Sequence, residues 1–277
     1  MRLTTTVPDY LALAAIDDDV RRAEAWTDTY EAAHPAVFAT YHRSWGLHDR
    51  CLAAAADVPR QAATLPVVEA RARRLAEHAE RSFRVARLID DDLDVVLLVG
   101  GHTSDGWVTE LDGRDTIFLA LEFLGDPPYD GVLVSHEAFH VAHARHGAGG
   151  WPKDGAASLF QEGLAVAVSR ELHPGLPDSA YLWSDDAHGS WVEVCAELGP
   201  ELAARMLGAL DTSYDDEVVR ALFTGGHRQP GLPVRAGYWL GDVVMRSLLE
   251  ETPSDELIEW DHPTARLAVA DRLGEMM

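Results

Sequence analysis

The sequence predicts an α+β fold in which helices precede and follow a small, mostly antiparallel sheet. Three observations carry that expectation. Residues 8 to about 90 are rich in Ala, Arg and Glu, with apolar residues recurring every three and four positions. A short buried strand, "DVVLLVGG" at 94–101, follows, and then two apolar runs flank Asp112-Gly113 within 106–125. From "DPPYDG" onward the chain reads as helical to its end, interrupted by three Gly/Pro-rich stretches.

In chain order, "ARARRLAEHAERSFRVARLI" at 70–89 is the clearest amphipathic helix. Asp112-Gly113 between apolar runs is a hairpin signal, because both residues tolerate positive φ. The expected organisation is a helical region 1–90 followed by a functional region 91–277, closely joined. There is no internal repeat and no low-complexity tail.

Formal net charge is −23 over 277 residues, and Lys153 is the only lysine. That balance argues against nucleic acid and anionic membrane surfaces as partners. Two distant cysteines, Cys51 and Cys195, offer no disulfide framework and no Cys-based zinc motif. The opening "MRLTTTVPDYLALAAIDDD" suits neither a signal peptide nor an anchor, and no apolar run approaches the roughly 20 residues of a spanning helix. The expected location is the cytoplasm.

The chemistry is concentrated in "VLVSHEAFHVAHARHG" at 132–147. His136, Glu137 and His140 spell H-E-x-x-H. On a helix, positions i and i+4 lie about 40° apart, so both imidazoles reach one ion. Glu137 falls about 100° round, beside the ion, where it can take a proton from zinc-activated water. Thirteen histidines make a chance match conceivable, but the apolar flanks Val132, Leu133, Val134, Phe139, Val141 and Ala142 predict a buried helix. Two histidines on such a helix need partners.

Two residues compete as third ligand. His146 would complete the metzincin pattern H-E-x-x-H-x-x-G-x-x-H, but His143 occupies the glycine position. Without that glycine the helix does not turn back, and His146 lies about 240° round from His140. Gly147 is placed as an ordinary helix stop instead. Glu162, in "SLFQEGLAVAVSREL", is the other candidate. Ser158 and Gln161 form an S-x-x-Q capping box at the start of a helix whose body is apolar nearly all round. A carboxylate inside such a helix pairs with an arginine or binds a metal.

H-E-x-x-H followed some twenty residues later by a helical Glu resembles the gluzincin metallopeptidases. "HEAFH", "QEGLA" and the later "GYWLGDVV" are more specifically similar to a family of bacterial predicted zinc-dependent proteases, over roughly residues 93 to 250. The resemblance implies a zincin-like fold, Zn2+ held by His136, His140 and Glu162, and Glu137 as general base. It also places the strand before the active helix, here "TIFLALEFL", along the cleft. That strand either offers an edge to an extended peptide or is internal to the sheet.

Tyr238 opens the helix "GYWLGDVV" after a Gly/Pro-rich loop, and it is either a donor to the developing oxyanion or a packed aromatic. His227, in "GGHRQPG", is the second donor candidate, against a solvated loop histidine. His143 is expected to back the metal face or pack in the core. The expected function is zinc-dependent hydrolysis of peptide or protein substrates. The alternatives are a zinc hydrolase of a non-peptide amide or ester, and a non-catalytic domain that binds zinc or peptides. Glu137 favours catalysis, because a structural zinc site has no use for a general base.

Overall fold

The computed structural model describes residues 1–47, 50–125, 127–146 and 150–277, and the chain divides into two units, Met1–Val141 and Ala142–Met277. The first unit opens with β1 (Arg2–Thr5), α1 (Val7–Leu13), α2 (Asp19–Ala25) and a π-helical turn over Trp26–Glu31. Then come α3 (Pro35–Ser44), α4 (Cys51–Ala62) and α5 (Leu65–Val85), the predicted amphipathic helix. Strands β2 (Asp94–Leu98), β3 (Gly106–Leu111) and β4 (Arg114–Ala120) follow, and α6 (Tyr129–His146) begins here and ends in the second unit.

The sheet runs β1-β2-β4-β3. The β3–β4 hairpin forms as predicted, with Asp112 at φ 52° and Gly113 at φ 77°. These values match the primed turn whose twist suits a hairpin. The mostly antiparallel expectation is corrected, because β1–β2 and β2–β4 are both parallel. No turn signal announces either pairing: the partner of β1 lies some ninety residues away, and β2 pairs with β4 past the intervening β3. Of the two alternatives for "TIFLALEFL", the internal one holds: β4 is flanked by β2 and β3. Its buried run Thr116–Ala120 and the buried Val95–Leu98 of β2 are the near-continuous apolar strands of a sheet covered on both faces.

The start of α6 is pinned by charge. Asp130, in its first turn, lies 2.7 Å from Arg71 Nε of α5 and accepts the Gly125 N–H at 3.2 Å. An acid there also suits the positive end of the helix dipole.

The second unit is helical: α7 (Gly155–Leu172), α8 (Asp178–Trp183), α9 (Gly189–Glu197), α10 (Gly199–Ala209), α11 (Glu217–Phe223), α12 (Ala236–Leu249), α13 (Ser254–Leu257) and α14 (His262–Glu275). Helix α7 starts three residues before the expected capping box. Asp154 is the cap, accepting the Ala157 N–H at 2.8 Å, while Ser158 Oγ donates to the Asp154 carbonyl. Asp is at least as good a cap as Ser, and the earlier one wins.

Helix α7 packs on α12 through two glycines. A Cβ on Gly163 would lie 2.6 Å from the Gly241 carbonyl oxygen, so this crossing requires backbone against backbone. Beside it, fully buried Asp242 takes two bonds from Arg170, at 2.8 and 2.9 Å. Arg170 also pairs with Asp178 at 2.8 Å. Among the described residues, no helix is long and apolar enough to cross a membrane.

Candidate metal centre

Helix α6 runs unbroken from Tyr129 to His146, so the chain makes no reversal at His143. The expected stop at Gly147 lies outside the described residues. From Gly131 to Phe139 every residue of α6 is buried. A helix apolar on most sides has no choice but to sit in the core, and it carries its polar groups in with it.

The i, i+4 spacing does what helix geometry requires. His136 and His140 bring their Nε2 atoms to 3.1 Å, with ring centroids 4.8 Å apart. Two ligands of a tetrahedral site with metal–nitrogen bonds of about 2.0–2.1 Å stand about 3.3 Å apart. The imidazole pair is therefore already at chelating distance. His136, His140 and Glu162 each offer one ligand atom, and these atoms all lie within 4.8 Å of one another. Two imidazoles and one carboxylate could thus hold a metal ion and leave positions open. His136 is buried, while His140 and Glu162 are half-buried, so Glu162 is less enclosed than its apolar neighbours suggest.

The other two histidines of α6 are held elsewhere. His143 is buried, with Nδ1 3.4 Å from Gln161 Nε2 and its ring edge-on to Trp151 at 4.9 Å. His146 pairs through Nδ1 with Glu259. Gln161 and Glu162 are adjacent on α7, so one of them contacts His143 and the next offers a ligand atom to the candidate group.

Glu137 is 6% exposed and lies against the first residue of β3. A Cβ on Gly106 would stand 3.1 Å from Glu137 Cγ and 3.4 Å from its Oε1. The missing side chain at 106 makes the room that Glu137 occupies. That role was not legible in the sequence, where Gly106 only opens the first of the two apolar runs.

Tyr238 is half-buried in the first turn of α12, one turn before the Gly241 crossing. Its ring lies under the Arg235 guanidinium at 4.3 Å and beside Phe223 at 6.1 Å. His227 sits half-exposed in the loop between α11 and α12. A further residue enters that the sequence did not signal. Burial pushes the Tyr214 hydroxyl above its usual range, and the negative charge of Glu162 adds to the rise. Tyr214 follows α10, its N–H bonded to the Lys153 carbonyl at 2.9 Å just before α7. One tyrosine in a polar loop carries no pattern, so only the fold reveals it. No protein-family model matches the chain, and no curated protein or solved structure matches it either.

Proposed function

We propose that the chain is a zinc-dependent peptide hydrolase of zincin-like architecture. The observation that carries the reading is the convergence of His136, His140 and Glu162, with the buried carboxylate of Glu137 one residue from the first ligand. Two imidazoles and a carboxylate are a donor set that suits zinc and leaves a coordination position open, as catalytic sites do. When bound, zinc lowers the pKa of a water to about 7 and polarises a carbonyl.

The chain's own groups do the rest. Glu137 accepts a proton from the attacking water and passes it to the departing amine. Gly106 leaves the space that the Glu137 side chain occupies. A phenol donates a hydrogen bond to the carbonyl oxygen as charge builds on it. Tyr238, from the start of α12, is the sequence candidate for that donor. Tyr214 is the second, supported by its electrostatic interaction with Glu162. The substrates are peptides or unfolded protein segments.

Metal analysis of the purified chain, joined to digestion of a peptide library, tests this. The expected result is one zinc per chain, cleavage by the parent, and retained zinc without cleavage in Glu137→Gln. Equal cleavage by Glu137→Gln and parent would remove the mechanism.

A further inference from the structure

Arg235 caps the N-terminus of α12 with backbone φ 64° and ψ 18°, the left-handed region. An arginine gains nothing there that glycine or asparagine would not give at lower cost. Such strain persists where surrounding structure holds it, and it collects at ligand sites. The side chain is held by rings: its guanidinium carbon lies 4.8 Å from the Trp183 ring centroid and 4.3 Å from that of Tyr238. Trp183 also belongs to a further stack, with His188 at 4.1 Å and nearly parallel.

The rings orient the guanidinium without satisfying it. Among the described residues its one side-chain hydrogen bond runs from Nη2 to the Leu182 carbonyl at a long 3.4 Å. Nε is buried with no partner among the described residues, and so is the adjacent Trp183 Nε1. Both atoms are donors, so the cluster lacks acceptors. Arg220 repeats the pattern, with Nε buried and unpartnered among the described residues. The Arg235 N–H bonds to the Ala221 carbonyl at 3.3 Å, which sets its backbone beside the residue next to Arg220. Arg220 in turn acts electrostatically on Tyr214, which interacts with Glu162. In a chain with 46 acidic residues and 23 basic ones, carboxylates are plentiful, yet among the described residues the Nε of neither guanidinium meets one.

We propose that Arg235, supported by Arg220, binds a carboxylate of the substrate peptide. The planar guanidinium matches a carboxylate in shape and charge. The chain's net charge of −23 opposes a dianion such as phosphate more strongly than a single carboxylate. That the ligand is a peptide rests on the hydrolase reading, whereas the carboxylate preference rests on the arginines alone. The carboxylate comes from the peptide's C-terminus or from an acidic side chain.

The test measures binding rather than turnover. Full-length Glu137→Gln protein is titrated calorimetrically with two matched pairs of N-acetylated peptide pools. One pair differs only in a C-terminal acid or amide, the other only in Glu or Gln side chains. At least tenfold tighter binding of an acid pool than of its matched amide is expected, and the pair that shows it names the source. Adding Arg235→Gly should bring the acid pool to the affinity of the amide, with Tm at or above that of the parent, because glycine suits this backbone. Arg235→Gln provides the same readout if the glycine variant does not fold. Arg220→Gln should narrow the ratio less. Equal binding of acid and amide in both pairs, no binding of any pool, or a ratio that survives loss of Arg235 would overturn the proposal. A chain that holds no zinc and cuts nothing, yet discriminates acid from amide through Arg235, loses the hydrolase reading and keeps this one. A chain that cuts peptides regardless of their carboxylates does the reverse.

Discussion

Helix α6 carries two pairs of histidines with opposite fates. His136 and His140 point their Nε2 atoms at one spot, within reach of Glu162. His143 and His146, one and two turns further on, are tied to Gln161 and to Glu259. Residue type and helix do not distinguish the pairs, and His143 even lies within about 20° of His136 in helical projection. What differs is the partner: Glu162 offers a ligand atom within 4.8 Å of those of the first pair, whereas the Gln161 amide contacts His143.

The largest effect expected from this comparison lies between its two members and the base beside them. Glu137→Gln should lower kcat/KM by about 10² to 10⁴, the usual cost of losing a general base. Metal content should stay at the parent level. Histidine substitutions in the second pair should leave kcat/KM near the parent value on the same peptides. A large rate loss in His146→Ala would break the division between the pairs.

The next effect is on metal-linked stability. Ligand binding stabilises a fold by RT ln(1 + [L]/Kd), about 2.7 kcal/mol at a hundredfold excess over Kd. Chelation should therefore lower the Tm of the parent and of His146→Ala by several degrees. It should leave Tm unchanged in His140→Ala and Glu162→Ala, which bind no metal to lose. Metal loss in His146→Ala with retention in Glu162→Ala would reverse the assignment.

That division was partly legible in advance. H-E-x-x-H fixes its own geometry within one helix, and Asp112-Gly113 fixes its own turn, so both could be read locally. Glu162 could be read because a lone carboxylate stands out in an apolar run. The parallel pairing of β1 with β2 could not, since it depends on a contact across some ninety residues. The interior place of β4 depends on the parallel β2–β4 pairing, which skips over β3 and so has no turn signal either. Asp154 as the cap of α7 was hidden by a second plausible cap four residues on. Arg235 was invisible for another reason: arginine is not a residue that announces left-handed backbone, so the strain appears only in the structure.

A smaller effect probes what holds α7 against its support. A methyl group at Gly163 would sit 2.6 Å from the Gly241 carbonyl oxygen, and backbone cannot swing aside as a side chain can. Gly163→Ala should cost about 1–3 kcal/mol, the range for overpacking. Chemical denaturation checks this. Because Glu162 is the adjacent residue, metal affinity should fall as well, whereas the His143–Gln161 contact two residues back should be disturbed less. A substitution that leaves both stability and metal affinity at parent values would show that the crossing tolerates a wider gap.

The smallest effect concerns the space beside the base. Gly106 begins β3, and its backbone lies outside the left-handed region, so alanine meets no conformational penalty there. Removing a glycine from a strand even favours the fold slightly, by restricting the unfolded chain. Packing sets the sign of the activity change instead. The new Cβ would stand 3.1 Å from Glu137 Cγ and 3.3 Å from Leu133 Cδ1, so one of them must give by a few tenths of an ångström. A displacement of about 1 Å in a catalytic group can cost 10² in rate, so this smaller one should cost roughly tenfold or less. Gly106→Ala should therefore keep its Tm and its metal while kcat/KM falls modestly. Paired with Glu137→Gln, it should add almost nothing, because a base that is already lost cannot be displaced. Full additivity of the two substitutions would mean that Gly106 acts through something other than Glu137.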